Sequence, residues 1–406
     1  MKYAEKISIA SEELRRRALE CLSYSEDMGD EEIKGVIERE AWLYLRINHI
    51  SIKLLEAAVK LTFNSMRRLD ILQDFLEDED VTEIMVNGWD SVFIEKENEV
   101  IKSERTFQSK ERLYSIIQSI VGEINRVVNE KNPIADARLK DGSRVNIVLP
   151  PIAINGPIVT IRKFKEKNFT LEDLVKINSI TKEAMEMLKI FVVARYNIFI
   201  CGGTDTGKTT LLNALSNCIG EGERIITIED LAELRLNSIK NIVSLEARET
   251  TLTGDGKVSI RDLIKSALRM RPDRIIVGEV RDSAVIDLMN AYNTGHDGSI
   301  SSGHSNSSRD MITRLVTMYL MGIDLPEKAI KKQIASAIDV FIHLGRDKNN
   351  KRIVLSIDEV IKDFDEDVML NSLFVYDYKK GKLIRTANPL LGTEKMERLG
   401  IEYKEL

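Results

Sequence analysis

The chain has 406 residues, room for two or three domains, and its 43% hydrophobic and 31% charged content is that of a globular protein. A net charge of -6 gives no overall basic footprint, so no direct nucleic-acid partner is expected. Three cysteines, Cys21, Cys201 and Cys218, support neither a disulfide framework nor a paired-cysteine zinc site, and a reducing cytoplasm is the default.

The N-terminus, Met1 to Lys6, leads into charged sequence rather than an apolar signal core. No run approaches the roughly 20 apolar residues of a spanning helix. Membrane association is therefore expected only through partners or a surface. Residues 1–69 read as a helical extension: Glu12 to Leu22, Glu31 to Ile50 and Ile52 to Arg68 carry apolar residues at helical spacing. Met28-Gly29-Asp30 breaks the first two, with Asp30 a candidate cap. Such a segment is either a solvated appendage or a partner-docking arm.

Residues 70–164 read as a small α+β domain. Leu72 to Glu77 is a short helix. Thr82 to Val86 is a strand closed by the Asn87-Gly88 turn, and Ser91 to Glu95 returns. Lys110 to Val128 is helical. Asp136 to Leu139, Arg144 to Leu149 and Ile158 to Arg162 are antiparallel strands, punctuated by Pro150-Pro151 and Asn155-Gly156-Pro157. Residues 165–180 are a linker, polar at Lys165 to Asn168. Residues 181–406 form a second domain with a C-terminal tail. From 197 to about 345 strand and helix patterns alternate, the signature of a parallel sheet covered by helices.

That domain opens on its most specific stretch. Asn197 to Cys201 is an apolar strand, Gly202-Gly203-Thr204-Asp205-Thr206-Gly207-Lys208-Thr209-Thr210 fits G-x-x-x-x-G-K-[ST], and Leu211 to Leu215 continues as helix. Strand, glycine loop and helix together make a phosphate cradle, with backbone N–H groups and a helix dipole aimed at the anion. Lys208 is expected to reach the β- and γ-phosphates of ATP, and the Thr209 hydroxyl to ligate Mg²⁺. Arg138, Arg144 and Arg162 lead into this loop and are expected to reach the nucleotide from the smaller domain, since a guanidinium matches phosphate oxygens.

Two acids follow at strand ends. Ile225 to Ile228 ends in Glu229-Asp230, with Glu233 beyond; Arg274 to Val277 runs through Gly278 into Glu279. Ligands of open parallel sheets sit at such ends, so Glu229 and Glu279 are candidates to hold Mg²⁺ or to orient an attacking water. Gly278 is expected to let the backbone pack beside the phosphate loop. His296 and His304, in small polar segments, are candidates to sense the γ-phosphate or relay to a neighbour.

These segments resemble the superfamily of type II and type IV secretion and pilus-assembly ATPases. Arg224 to Leu236 looks like its Asp box, Ala267 to Arg281 its Walker B region, and Asn293 to Ser299 continuing to His304 its His box. Val81 to Gly88, Asp136 to Arg144 and Thr160 to Phe164 are similar to the Tad branch, of the CpaF type. Where the family commonly has Ser-Thr-x-His-Ala-Asn, this chain has Ser301-Ser302-Gly303-His304-Ser305-Asn306. The tetracysteine zinc element of the type II branch is absent, which argues against that branch. The resemblance implies a RecA-like ATPase domain of α/β class behind a PAS-like α+β domain. It also implies a homo-hexameric ring driven by Mg²⁺-ATP at the cytoplasmic face of the inner membrane. Such a ring acts on membrane platform proteins to assemble, or also retract, a Flp-type pilus, with arginines of the small domain on the phosphates. Three other readings stay open: a type IV secretion-type ATPase, a RecA-like nucleic-acid motor, which DNA-stimulated turnover would reveal, and a scaffold that binds ATP without hydrolysing it.

Overall fold

Alanine, leucine and isoleucine at four-residue spacing fold the charged N-terminal segment. Helix α1 (Tyr3–Leu22) buries Ala10, Leu14 and Ala18, α2 (Asp30–Asn48) buries Ile33, Ile37 and Ala41, and α3 (Ile52–Arg67) buries Leu54, Leu55 and Ala58. The computed structural model describes residues 3–22, 28–48, 50–96, 99–123, 128–163, 169–248, 256–362 and 367–401. Ser51 caps α3, accepting from Leu54 N at 3.3 Å. Asp30 is not spent on a cap: its carboxylate takes Arg67 Nε at 2.8 Å and Arg68 Nη2 at 3.2 Å, tying the start of α2 to the end of α3.

Contacts divide the chain into two units, Met1–Glu166 and Lys167–Leu406. In the first, the helices are followed by α4 (Ile71–Glu77), β1 (Val81–Asn87), β2 (Val92–Lys96), β3 (Glu99–Lys102), α5 (Lys110–Glu123), β4 (Ile134–Arg138), β5 (Arg144–Val148) and β6 (Ile158–Arg162). The six strands form one antiparallel sheet in the order β3-β2-β1-β6-β5-β4. Alternation decides its buried face: Ile84 and Val86, Val145 and Ile147, and Val159 and Ile161 share a core with Leu113, Ile116, Ile117 and Ile120 of α5. The β1–β2 connection is wider than an Asn-Gly turn, because Asn87 N donates to Ser91 O at 2.8 Å across the loop Gly88–Asp90. Strand β3 escapes sequence reading because all four of its residues are exposed, leaving no alternation to see. The expected last turn of α5 at 124–127 and the expected linker start at 164–168 lie outside the described residues.

The rest of that linker belongs to the second unit. Thr170 and Asp173 form a capping box on α6 (Leu171–Lys176), and Leu171, Leu174 and Ile180 enter the second core with α7 (Lys182–Val193). Then come β7 (Ile198–Gly202), α8 (Lys208–Ser216), β8 (Arg224–Glu229), β9 (Asn241–Glu246), α9 (Ile260–Ala267), β10 (Arg274–Val277), α10 (Ala284–Asn293), β11 (Ile300–His304), α11 (Ser308–Leu320), α12 (Glu327–Ala337) and β12 (Val340–Arg346). They close with β13 (Arg352–Ile361), β14 (Met369–Asp377), β15 (Lys382–Arg385) and α13 (Glu394–Glu397). The nine-stranded sheet runs β15-β14-β13-β12-β7-β11-β10-β8-β9. From β12 to β9 every pair is parallel, and β13 to β15 add an antiparallel ribbon. Strand β7 is buried on both faces near the middle, as its unbroken apolar run requires.

Arg274, at the start of β10, is 1% exposed and grips Glu223 with Nε at 2.8 Å and Nη2 at 2.7 Å, while Nη1 donates to Val192 O at 2.7 Å. Arg274→Ala removes both prongs from Glu223, which keeps Arg195 Nη2 at 2.9 Å, and empties a fully buried site at the start of β10. It is expected to cost about 1.5–3 kcal/mol, read as a lowered thermal midpoint; an unchanged midpoint would contradict this.

Candidate functional site

The phosphate loop sits at the carboxyl end of β7, between the ends of β12 and β11. Its first glycine is forced by space: a Cβ on Gly202 would lie 2.6 Å from Leu344 O and 2.7 Å from Thr206 Oγ1. Its last is forced by conformation: Gly207 caps α8 at φ +93°, a left-handed value that penalises other residues. Thr206 Oγ1 closes the loop on Gly203 O at 3.0 Å. Asp205 is also left-handed, at φ +56°. Arg346 and Arg352, from the β12–β13 hairpin, hold its carboxylate, Arg352 at 2.5 Å, and donate to its carbonyl at 3.0 and 3.1 Å. Thr209 and Thr210 are half-buried in the first turn of α8, whose N-terminal end faces the loop.

Lys208 is 8% exposed. Its Nζ donates to Gly202 O at 3.2 Å, to Gly203 O at 2.7 Å and to His304 Nδ1 at 3.2 Å. Burial pulls its pKa below the ordinary lysine value, with the charge of Glu279 opposing. His304 arrives because β11 runs parallel to β7 with His304 opposite Gly202. Its Nε2 lies 3.1 Å from Glu279 Oε1. An ammonium only donates, so Nδ1 is the acceptor and the ring proton belongs on Nε2, the nitrogen beside Glu279. Burial lowers the His304 pKa against the opposing charge of Glu279, which keeps that neutral tautomer at neutral pH.

Glu279 follows β10. Arg281 forks onto it, Nε to Oε1 at 2.9 Å and Nη2 to Oε2 at 3.0 Å. Burial alone pushes this carboxyl up. The Arg281 hydrogen bond and charge, with His304 and Lys208, outweigh burial and hold it below the usual carboxylate value. Lys208, hydrogen-bonded to His304, and Glu279, 3.1 Å from the far ring nitrogen, thus form one polar chain at the mouth of the loop.

Glu229, at the end of β8, is 4% exposed and turned to its own loop: Oε1 accepts from Glu233 N at 2.9 Å and Leu234 N at 3.1 Å. Gly278 serves this residue rather than the phosphate loop, since a Cβ there would stand 3.0 Å from Glu229 Cγ. His296 is set apart from His304. It precedes Ile300, which pairs with the start of β7, so it lies at the opposite edge of the sheet, with Nδ1 3.1 Å from Ala291 O. In the first unit, Arg138 pairs with Arg144 and Arg144 with Arg162, which puts the three arginines on one rung across β4, β5 and β6. Directly opposed residues are about 5 Å apart with side chains on one face.

Arg281 closes the Walker B-like stretch without a role assigned to it there, and Arg346 and Arg352 lie in no motif. Only Arg281 had a signal: it stands two residues beyond Glu279, the spacing that shares a face in extended chain. Arg346 and Arg352 reach Asp205 through a hairpin whose pairing no local pattern announces.

Residues 66–373 match the family model described as type II/IV secretion system protein. The chain belongs to the type II/IV secretion system protein family. The match begins at the end of α3, leaving most of the N-terminal helices outside it. The conjugal transfer protein TrbB of Rhizobium radiobacter is 33% identical over 284 residues, 68% of this chain and 83% of the relative. The type IV secretion system protein VirB11 of Brucella suis is 32% identical over 319 residues, 71% of this chain and 88% of the relative. Among solved structures, the pilus retraction motor PilT with bound ADP aligns with a TM-score of 0.54 at 17% identity, covering 82% of this chain and 86% of that one. The Legionella pneumophila ATPase DotB aligns at 0.52 and 20% identity, covering 73% and 80%. These likenesses are of fold, that of a two-domain RecA-like ATPase. With its phosphate loop complete, this member of the family is a nucleotide-binding secretion ATPase. Among the described residues no helix is long and apolar enough to cross a membrane.

Proposed function

We propose that the chain hydrolyses Mg²⁺-ATP as a homo-hexameric motor that drives assembly, or also retraction, of a Tad/Flp-type pilus or a related secretion machine. The observation that carries the chemistry is the Lys208–His304–Glu279 chain set against the phosphate loop. The loop amides and Lys208 hold the β- and γ-phosphates; for this Lys208 leaves the Gly202 and Gly203 carbonyls on which it rests. Glu279, kept ionised, orients the attacking water. Glu229 shapes the loop after β8, and whatever it gives the metal passes through that loop. The donor set fits at the half-buried Thr209 hydroxyl in the first turn of α8, which would hold Mg²⁺ with phosphate oxygens supplying much of the rest, as this cation prefers. When bound, Mg²⁺ neutralises charge between the β- and γ-phosphates.

The row Arg138, Arg144 and Arg162 supports a cationic surface that meets the nucleotide from the smaller domain. The ring acts at the cytoplasmic face of the inner membrane through platform proteins, with no direct hold on nucleic acid. Native mass spectrometry with a non-hydrolysable ATP analogue is expected to show an assembly of six 46.1 kDa chains; a monomer at every concentration would contradict the ring. A second reading, a transfer ATPase of the type IV kind, is favoured by the conjugal transfer and type IV secretion names of the relatives. Cells carrying Glu279→Gln separate the two. Loss of surface filaments supports the pilus reading, and loss of conjugal or effector transfer with filaments intact supports the second.

A further inference from the structure

The proposed role of Glu279 leaves Arg281 unexplained. Its side chain is 66% exposed, yet it is committed to a two-pronged contact with a neighbour two residues away. On Glu279, Oε1 accepts from Arg281 Nε at 2.9 Å and has His304 Nε2 3.1 Å away, whereas Oε2 has Arg281 Nη2 alone, at 3.0 Å. A carboxylate oxygen accepts about two hydrogen bonds in its plane. With the imidazole pressed beside it, Oε1 is the more crowded oxygen and Oε2 the more open one.

We infer that Arg281 is the positioning residue of the hydrolytic site: its fork fixes the Glu279 carboxylate so that Oε2 is the oxygen that receives the attacking water. The inference rests on the reading of Glu279 as the group that orients water. A fork fixes the plane of a carboxylate as well as its charge, which a single-point cation does not. Asp230 Oδ2, 3.9 Å from Arg281 Nη1, adds an opposite charge that steadies the guanidinium from the β8 side. Arg281, His304 and Lys208 are the charged or titratable groups that act on Glu279, and Arg314 adds its charge toward His304. In the step itself, the water proton leaves toward Oε2 as the water oxygen bonds to the γ-phosphorus, and the bond from that phosphorus to the ADP oxygen breaks with its electron pair.

The test is steady-state ATP hydrolysis by the full chain from pH 5 to 9, comparing wild type, Arg281→Ala and Arg281→Lys, with binding of a fluorescent ATP analogue measured in parallel. At pH 8, where Glu279 is ionised and His304 neutral, Arg281→Ala is expected to lower kcat about tenfold or more with analogue binding unchanged. Arg281→Lys keeps charge without the fork, so kcat stays low. The acid side of the profile separates the two contributions. Without Arg281, burial is opposed less and the Glu279 pKa rises, so the acid edge of activity shifts to higher pH in Arg281→Ala; in Arg281→Lys this edge returns toward wild type. Repeating the profiles in a His304→Asn background leaves Glu279 as the titrating group on the acid side. An unchanged kcat at pH 8, or a loss of analogue binding in place of kcat, would overturn the inference. Wild-type turnover in Glu279→Gln would instead remove the underlying reading, a separate and recognisable result.

Discussion

Glu279→Gln lowers kcat for ATP hydrolysis by about 10²- to 10⁴-fold and leaves nucleotide affinity nearly unchanged. The substitution keeps shape and removes two properties. One is the negative charge that the burial of Glu279 opposes and Arg281, His304 and Lys208 sustain. The other is acceptor capacity. An amide presents one oxygen where the carboxylate presents two, and both prongs of Arg281 converge on this group, with the His304 ring beside it. In the variant the amide –NH₂ must face Arg281 or His304, so the fork is broken as well as the base removed. The phosphate loop is untouched, because Glu279 reaches it only through His304. Phosphate release beside analogue binding gives the answer: lost turnover with retained binding is expected, and turnover near wild type would end the role of Glu279.

Lys208→Ala abolishes turnover and weakens ATP binding by about tenfold to a hundredfold, the equivalent of the ~1.5–3 kcal/mol of a charged hydrogen bond. It does so without unfolding the protein. The Lys208 ammonium is buried, with carbonyls and one imidazole for company, and burial already lowers its pKa. Removing a buried charge of this kind relieves desolvation in the nucleotide-free chain. The thermal midpoint of Lys208→Ala without nucleotide is therefore expected at or above that of wild type, and the rise that ATP gives wild type is expected to be lost. A variant that still gains stability with ATP as wild type does would mean that the loop is not the nucleotide site.

The Lys208 effect was legible before the fold was known, because a phosphate loop is a local device. Its glycines, lysine and threonine, with the strand before and the helix after, are neighbours in sequence. The parallel order of β7, β8, β10, β11 and β12 was legible for a similar reason: apolar runs alternate with helical ones. Less legible was everything that register decides. His296 and His304 read alike as small polar segments, and only the pairing of Ile300 with Ile198 and of His304 with Gly202 puts them at opposite edges of the sheet. The three arginines read as scattered until β4, β5 and β6 bring them onto one rung. Glu229 and Glu279 read as equivalent strand-end acids. Burial and backbone partners turn Glu229 toward the amides of Glu233 and Leu234, whereas Glu279 meets Lys208 through His304.

The C-terminal end shows the same limit. The ribbon β13–β15 and helix α13 are held by side chains distant in sequence from their partners. Glu359, 4% exposed, takes the amides of Leu391 and Gly392 and the side chain of Asn371. Lys395 bridges Asp297 and Asp339, each at 2.7 Å. Nothing local in the sequence selects those pairs.

Turnover of ATP by an assembled ring is tested most directly by Mg²⁺-dependent phosphate release per chain, measured with native mass on the same samples across a wide range of protein concentration. The motor reading predicts release that requires Mg²⁺, is lost in Lys208→Ala, and rises steeply where six-chain assemblies appear. Release that is equal per chain in monomer and assembly would contradict the ring, and no release from samples already shown to be six-membered and bound to ATP would contradict the motor.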